Sequence, residues 1–245
     1  MKKFTILILF TGFFLSAQAQ WSVDISSGLA FQSYNDVRVP NETGTFFSFE
    51  DDFEIQGPVI PLRIRLGYTF AEKNHLFALY APLSVEYTGM PVFDISFEGS
   101  LFAAGQETEG LYKFNSYRLT YRRDVLLSDS WVVGVGFTAK IRDARIRLTT
   151  DDLTNKKDDV GFVPLLHLYF SYRQGPWEVF LEGDGLAGGP GRAFDFLLAA
   201  QANPWEFMSV YLGYRVLEGG ANVDEVYNFA WINFLSAGVV FRLVP

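Results

Sequence analysis

The chain has 245 residues, no cysteine, and an aromatic-rich composition of 25 Phe, 12 Tyr and 5 Trp. Its 28 acidic residues outnumber its 20 basic ones, a net charge of −8, and that balance argues against nucleic acid as a partner. Without cysteine the chain carries neither a disulfide framework nor the acylated N-terminal Cys of a lipoprotein.

Lys2 and Lys3 precede an apolar run over residues 4–15, and Ala17, Gln18 and Ala19 follow it. Charged, apolar and small-residue parts in that order make a secretory signal, with cleavage expected after Ala19. Residues 20–245 then form one domain, in which 18 basic residues face 28 acidic ones for a net charge of −10. No later segment has the roughly 20 consecutive apolar residues that a spanning helix needs.

From Trp21 onward apolar and polar residues alternate, which is the pattern of strands with two unlike faces. The alternation predicts ten strands, at 21–34, 58–70, 75–88, 112–124, 131–145, 162–173, 177–187, 192–202, 207–217 and 227–243. Eight strands would fit if the glycine-rich stretch 177–202 paired differently. Connections at 71–74, 126–130, 174–176 and 203–206 are short, whereas those at 35–57, 89–111 and 146–161 are long. Short periplasmic turns alternating with long outside loops are what insertion of a barrel produces. The expected fold is all-β: a closed, antiparallel, up-and-down transmembrane β-barrel in the outer membrane.

One face of residues 60–70 carries Ile60, Leu62, Ile64, Leu66, Tyr68 and Phe70; the other carries Pro61, Arg63, Arg65, Gly67 and Thr69. A soluble sandwich would bury the first face in a shared core. A barrel turns it to lipid, with aromatic rings at the two interfaces. The inward, lumen-lining set is then Arg63, Arg65, Glu86, Arg118, Arg122, Lys140, Arg142, His167, Glu182, Asp184, Asp195 and Arg215, joined by Asp24, Arg173, Glu178 and Arg242. Inward Tyr80, Tyr169, Phe180 and Tyr211 narrow the bore. Barrels of about eight strands are filled by side chains, and aqueous channels appear by about sixteen. A largely plugged lumen is therefore expected, its ion pairs standing in for an apolar core. The alternative is a narrow conduit for small anions, lined by Arg118, Arg122, Lys140 and Arg142.

An enzymatic reading starts from His167, because His75 sits beside a predicted periplasmic turn. Across the hairpin at 174–176, His167 faces Glu182 or Asp184, so a carboxylate-oriented imidazole is available. A nucleophile is missing. Ser171 shares the face but lies four residues along, about 13 Å away, and a Ser–His pair works at hydrogen-bond distance. Outer-membrane lipid A deacylases place serine and histidine two positions apart on one strand, and no His-x-Ser occurs here. Omptin-type proteases need paired acidic residues with a histidine at the outer rim, and His167 sits deeper. A lipid-modifying enzyme is the lesser alternative; the expectation is no enzyme, no cofactor and no resident metal.

Inward Gly134, Gly136 and Gly213 relieve crowding in a small barrel. The runs Gly188–Gly191 and Glu218-Gly219-Gly220 are read as turns, since neither joins a strand to a helix as a phosphate loop would. Outer loops carry Glu50, Asp51, Asp52 and Glu54, then Asp151, Asp152, Asp158 and Asp159, then Glu218, Asp224 and Glu225. Carboxylates at that level face lipopolysaccharide phosphates, where divalent cations would bridge the two. The spacing matches no calcium loop, so solvated acidic loops are the expectation and cation bridging the alternative. Phe46, Phe47, Phe49, Phe93, Ile95, Phe97, Leu101 and Phe102 make the first two loops unusually apolar, fit to extend the wall, to cover the mouth or to meet a ligand.

Several strings carry a likeness: Phe114-Asn115-Ser116-Tyr117-Arg118-Leu119-Thr120-Tyr121, Lys140-Ile141-Arg142-Asp143-Ala144, Gly161-Phe162-Val163-Pro164-Leu165-Leu166-His167-Leu168, Gly191-Arg192-Ala193-Phe194-Asp195, and Leu217-Glu218-Gly219-Gly220-Ala221 with Asp224-Glu225-Val226-Tyr227-Asn228-Phe229-Ala230-Trp231. Together they resemble a family of outer-membrane β-barrel proteins of unassigned function. The resemblance implies a membrane barrel and transfers no catalytic residue. A monomer with a structural or surface-binding role, surrounded by outer-membrane lipid and lipopolysaccharide, is the resulting expectation.

Overall fold

The computed structural model describes residues 20–243; the expected export signal lies outside them. In chain order the strands are β1 (Gln20–Arg38), β2 (Phe47–Ser48), β3 (Glu54–Ile55), β4 (Leu62–Phe70), β5 (Asn74–Ala81), β6 (Ser84–Gly89), β7 (Ile95–Phe97), β8 (Ser100–Phe102), β9 (Thr108–Leu127), β10 (Trp131–Thr149), β11 (Thr154–Gln174), β12 (Trp177–Gly188), β13 (Gly191–Trp205), β14 (Met208–Val223) and β15 (Val226–Leu243). Ten antiparallel staves close into a barrel in the order β1, β4, β5 with β6, β9, β10, β11, β12, β13, β14 and β15, and β15 pairs back on β1. β5 and β6 make one stave, both pairing with β9 on either side of Pro82, which has no N–H to give to a ladder.

The outside is apolar. Leu212, Phe137 and Leu166 are 70%, 64% and 60% exposed there, an arrangement water disfavours and hydrocarbon accepts. Trp21, Trp131, Trp177 and Trp205 gather near the short turns as an interfacial ring. On β10, outward Ile141 is followed by outward Asp143 and Arg145, so the Ile141–Phe162 rung marks the outer limit of the lipid band. From Tyr172 to Phe162 along β11 is about 25 Å of barrel height at the usual rise and tilt, one bilayer core.

Two segments differ from the sequence expectation. Residues 146–161 are not a long loop, because β10 and β11 stay paired up to Thr149↔Thr154. Arg145, Arg147, Lys156 and Asp158 lie on this extension, where the strand has left the lipid and no longer alternates in polarity. Glu218-Gly219-Gly220 lies inside β14 rather than in a turn. A Cβ on Gly220 would come within 1.9 Å of the Asn228 carbonyl oxygen, so glycine here serves close strand approach. Gly188 to Gly191 does form the tight end of the β12–β13 hairpin.

The third stave also faces the other way round. Glu86 is exposed on the outside and Tyr80 is 40% exposed, while Leu79, Val85 and Tyr87 are buried within. Residues 76–81 are apolar on both faces, so alternation does not choose between them. Packing chooses, because Val85 and Tyr87 complete an apolar cluster in the outer half of the lumen with Phe47, Phe49, Phe53, Phe97 and Phe102. The expectation of a charged filling in place of a core therefore covers only the lower half.

Candidate functional site

The lower lumen holds a belt of interlocked charges. Arg118 bonds Asp184 at 2.7 Å and also reaches Asp195. Arg215 grips Asp195 with two nitrogens, at 2.6 and 2.8 Å. Arg65 spans Glu182 at 2.6 Å and Asp24 at 3.1 Å. His167 pairs with Asp184 in the ladder and bonds it through Nδ1 at 2.9 Å, with Glu182 3.6 Å from Nε2. Arg63 joins this group around a polar void of about 30 Å³, room for about one water. These side chains come from β1, β4, β9, β11, β12, β13 and β14 and meet across the lumen, because the period of two turns every second residue of a stave toward the axis.

Nearer the periplasmic turns the expected inward residues Arg122, Tyr169, Arg173 and Glu178 are joined by His75 and Asp124, which alternation does not assign to the lumen. His75 is buried, with Nε2 2.8 Å from Asp124 and Nδ1 3.0 Å from Thr69. Arg122 faces Asp124 at 3.0 Å and lies 3.9 Å over the Tyr169 ring. A side chain on Gly134 would collide with this pair, its Cβ falling 2.7 Å from Arg122. Glu178 accepts from Tyr169 and Arg173 below.

Above the belt the wall is not uniformly paired. β11 pairs with β12 only over Leu166 to Gln174, although it follows β10 up to Thr154. Beyond the Leu166–Gly185 rung, the β12-facing edge of β11 has no strand partner among the described residues. Behind that gap is a cavity of about 460 Å³. Tyr112, Phe114, Lys140, Ile146, Leu217 and Ile232 line it from within, and Phe162, Pro164, Leu186 and Pro190 line it at the wall. Because Phe162 lies on the outward face of β11, the cavity opens sideways, at the outer limit of the lipid band.

The axial mouth is covered instead. Glu98 N donates to the Val39 oxygen and Thr45 N to the Ser96 oxygen. Asn155 on β11 donates to the Glu98 oxygen and Ser100 Oγ, each at 2.9 Å. The β7–β8 hairpin is thereby held across the opening. Of the apolar loop residues, Phe47, Phe49, Ile95, Phe97 and Phe102 are buried, whereas Phe46 and Leu101 are 49% and 62% exposed.

Lys140, like Arg63 and Arg242, lacks a carboxylate partner among the described residues, and it is the most deeply buried of the three. It is 2% exposed, forms no ion pair among the described residues, and meets only the Phe114 ring, 4.6 Å from its ammonium. Arg142 is half-buried and pairs with Asp159 on the neighbouring strand. Asp158 pairs with Arg145 and Lys156, so two of the acidic residues expected in an outer loop are spent on strand-to-strand bridges. No cluster of three or more His, Cys, Asp or Glu among the described residues is arranged to hold a metal ion.

No family model matches the chain, and no curated protein matches it. Solved structures do. The outer membrane protease OmpT of Escherichia coli superposes with a TM-score of 0.54 at 12% identity, over 91% of this chain and 97% of that one. The translocator domain of the autotransporter NalP from Neisseria meningitidis gives 0.46 at 11% identity, over 93% and 90%. The Neisserial surface protein A gives 0.38 at 14% identity, over 93% and 100%. Together with an apolar exterior and a closed circuit of ten staves, the likeness to OmpT identifies the fold: this chain is an outer-membrane β-barrel.

Proposed function

We propose that the protein is a monomeric, non-conducting and non-catalytic binding barrel, embedded in outer-membrane lipid beside lipopolysaccharide, whose ligand sits in the outer half of the lumen. The arrangement of two unlike fillings supports this reading above all else. The charged belt fixes its guanidinium groups against carboxylates, with Arg215 bidentate on Asp195 and Arg118 and Arg65 each bridging two carboxylates, which leaves few mobile cations to pass an anion along. The apolar loops lie over the mouth, and the space that remains opens to the side.

A lipid-modifying role for His167 lacks support from the geometry. Asp184 and Glu182 flank its ring, and no hydroxyl hydrogen-bonds either ring nitrogen among the described residues. Ser171 shares the strand face but bonds nothing there. Acyl transfer needs a nucleophile at the base.

Planar-bilayer recording tests the seal. The expected result is insertion without stable conductance steps. Anion-selective steps that change on Arg118→Glu would replace this reading with the channel.

A further inference from the structure

We infer that the side-open cavity takes a membrane-soluble acid: a single apolar body carrying one anionic head group, with the head seated on Lys140. This inference rests on the binding role proposed above and adds the chemical class of the ligand.

Three observations converge. The first is an unbalanced charge. Arg65, Arg118 and Arg215 are each committed to carboxylates, while the buried Lys140 ammonium has no anion. An isolated buried charge is costly, and one ring face compensates only part of that cost. Lys140 also borders the cavity, so an anion there would meet it directly.

The second is the lining. Phe114, Ile146, Leu217 and Ile232 give the walls an apolar part that rewards an apolar body, and the other cations on the lining, Arg142, Arg145, Lys157 and Arg192, are already paired with Asp159, Asp158, Glu98 and Glu218, which leaves Lys140 for the head group. A volume of about 460 Å³ lies toward the lower end of small-molecule sites. It suits one chain or ring system.

The third is the route. The gap between β11 and the β12–β13 hairpin meets the outer edge of the lipid band, and the mouth above is covered. The lower end of the gap, at Phe162 and Pro164, faces the lipid band, and a ligand entering there comes out of the membrane, so it must be lipid-soluble and able to present its acid group inward.

The test compares decanoate with decanol, which share a chain and differ in the head group. Equilibrium binding to the full barrel in lipid nanodiscs is measured against empty nanodiscs. Decanoate is expected to saturate one site and to bind about tenfold or more tightly than decanol, the scale of one charge-assisted hydrogen bond. Lys140→Met should abolish that preference and Lys140→Arg should retain it, with heat-modifiable gel mobility confirming that each variant is a folded barrel. Equal binding of the two compounds to the unaltered protein, or a preference that survives Lys140→Met, overturns the assignment of the head group alone. Absence of saturable binding by either compound overturns the binding role as well.

Discussion

Two staves, β1 and β11, rise beyond a shorter neighbour, and the protein treats the two resulting gaps in opposite ways. Beside β1, which leaves β4 at Ser27↔Leu62, the chain returns to fill the space. Val37 pairs with Phe47, Ala30 bridges Val59, and Ile55 pairs with Tyr87 on the far side. Beside β11 none of the described residues returns: the β12–β13 hairpin ends at Gly189 and Pro190, and the edge stays bare. The lower end of that edge, at Phe162 and Pro164, is at membrane depth, where unmet backbone groups are tolerated only if they line a cavity or are otherwise covered. The filled gap therefore reads as wall construction, and the bare one as a place kept open for something to pass.

The filled gap should be the more expensive one to disturb. Phe49 is fully buried, stacked 4.4 Å from the Tyr87 ring and against Phe47 and Phe53. Phe49→Ala is expected to cost about 3–5 kcal/mol in urea titration. Limited proteolysis should then cut within residues 39–61 while the staves stay intact. An unchanged urea midpoint with a protected loop would mean that this filling is merely laid over the gap, and the contrast with β11 would weaken.

Below both gaps the belt is common ground, and its variants should leave the contrast standing. His167→Ala removes one hydrogen bond to the Asp184 carboxylate, which Arg118 and Thr138 continue to hold. A loss of about 1.5–3 kcal/mol is expected, with the cellular lipid A profile identical with and without the protein. A lipid species that disappears on His167→Ala would instead place chemistry in the belt.

How far this was legible beforehand follows the membrane. Inside the lipid band, one face must be apolar, so the positions of Arg63, Arg65, Arg118, His167, Asp195 and Arg215 on the axis can be read from alternation. Above the band that constraint lapses, and the errors collect there: Glu86, the 146–161 hairpin and Glu218-Gly219-Gly220. Tyr80 escaped for a different reason, since its strand is apolar on both faces. His75 sits at a stave end beside a turn, where no run of alternating residues sets its face, and Asp124 and Thr69 hold it inward. The side opening had a signal that propensity alone does not interpret. Pro164 stands just past the last β11–β12 rung, and Gly183, Gly185, Gly188, Gly189 and Gly191 crowd the opposing hairpin. Proline favours edges and glycine weakens strands, so together they mark where pairing stops.

The smallest thermodynamic effect should accompany the most informative change at the bare gap. Leu186 borders the opening and is 42% exposed, so Leu186→Trp adds bulk without displacing buried neighbours. Stability should stay within about 0.5 kcal/mol of the unaltered protein. The consequence is kinetic: a ring across the only lateral route among the described residues should slow association and dissociation of decanoate together, leaving equilibrium affinity nearly unchanged because the Lys140 end of the cavity is untouched. Stopped-flow mixing separates the two quantities. If both rates match those of the unaltered barrel, the ligand travels past the β7–β8 hairpin instead, and the bare edge of β11 loses its proposed purpose.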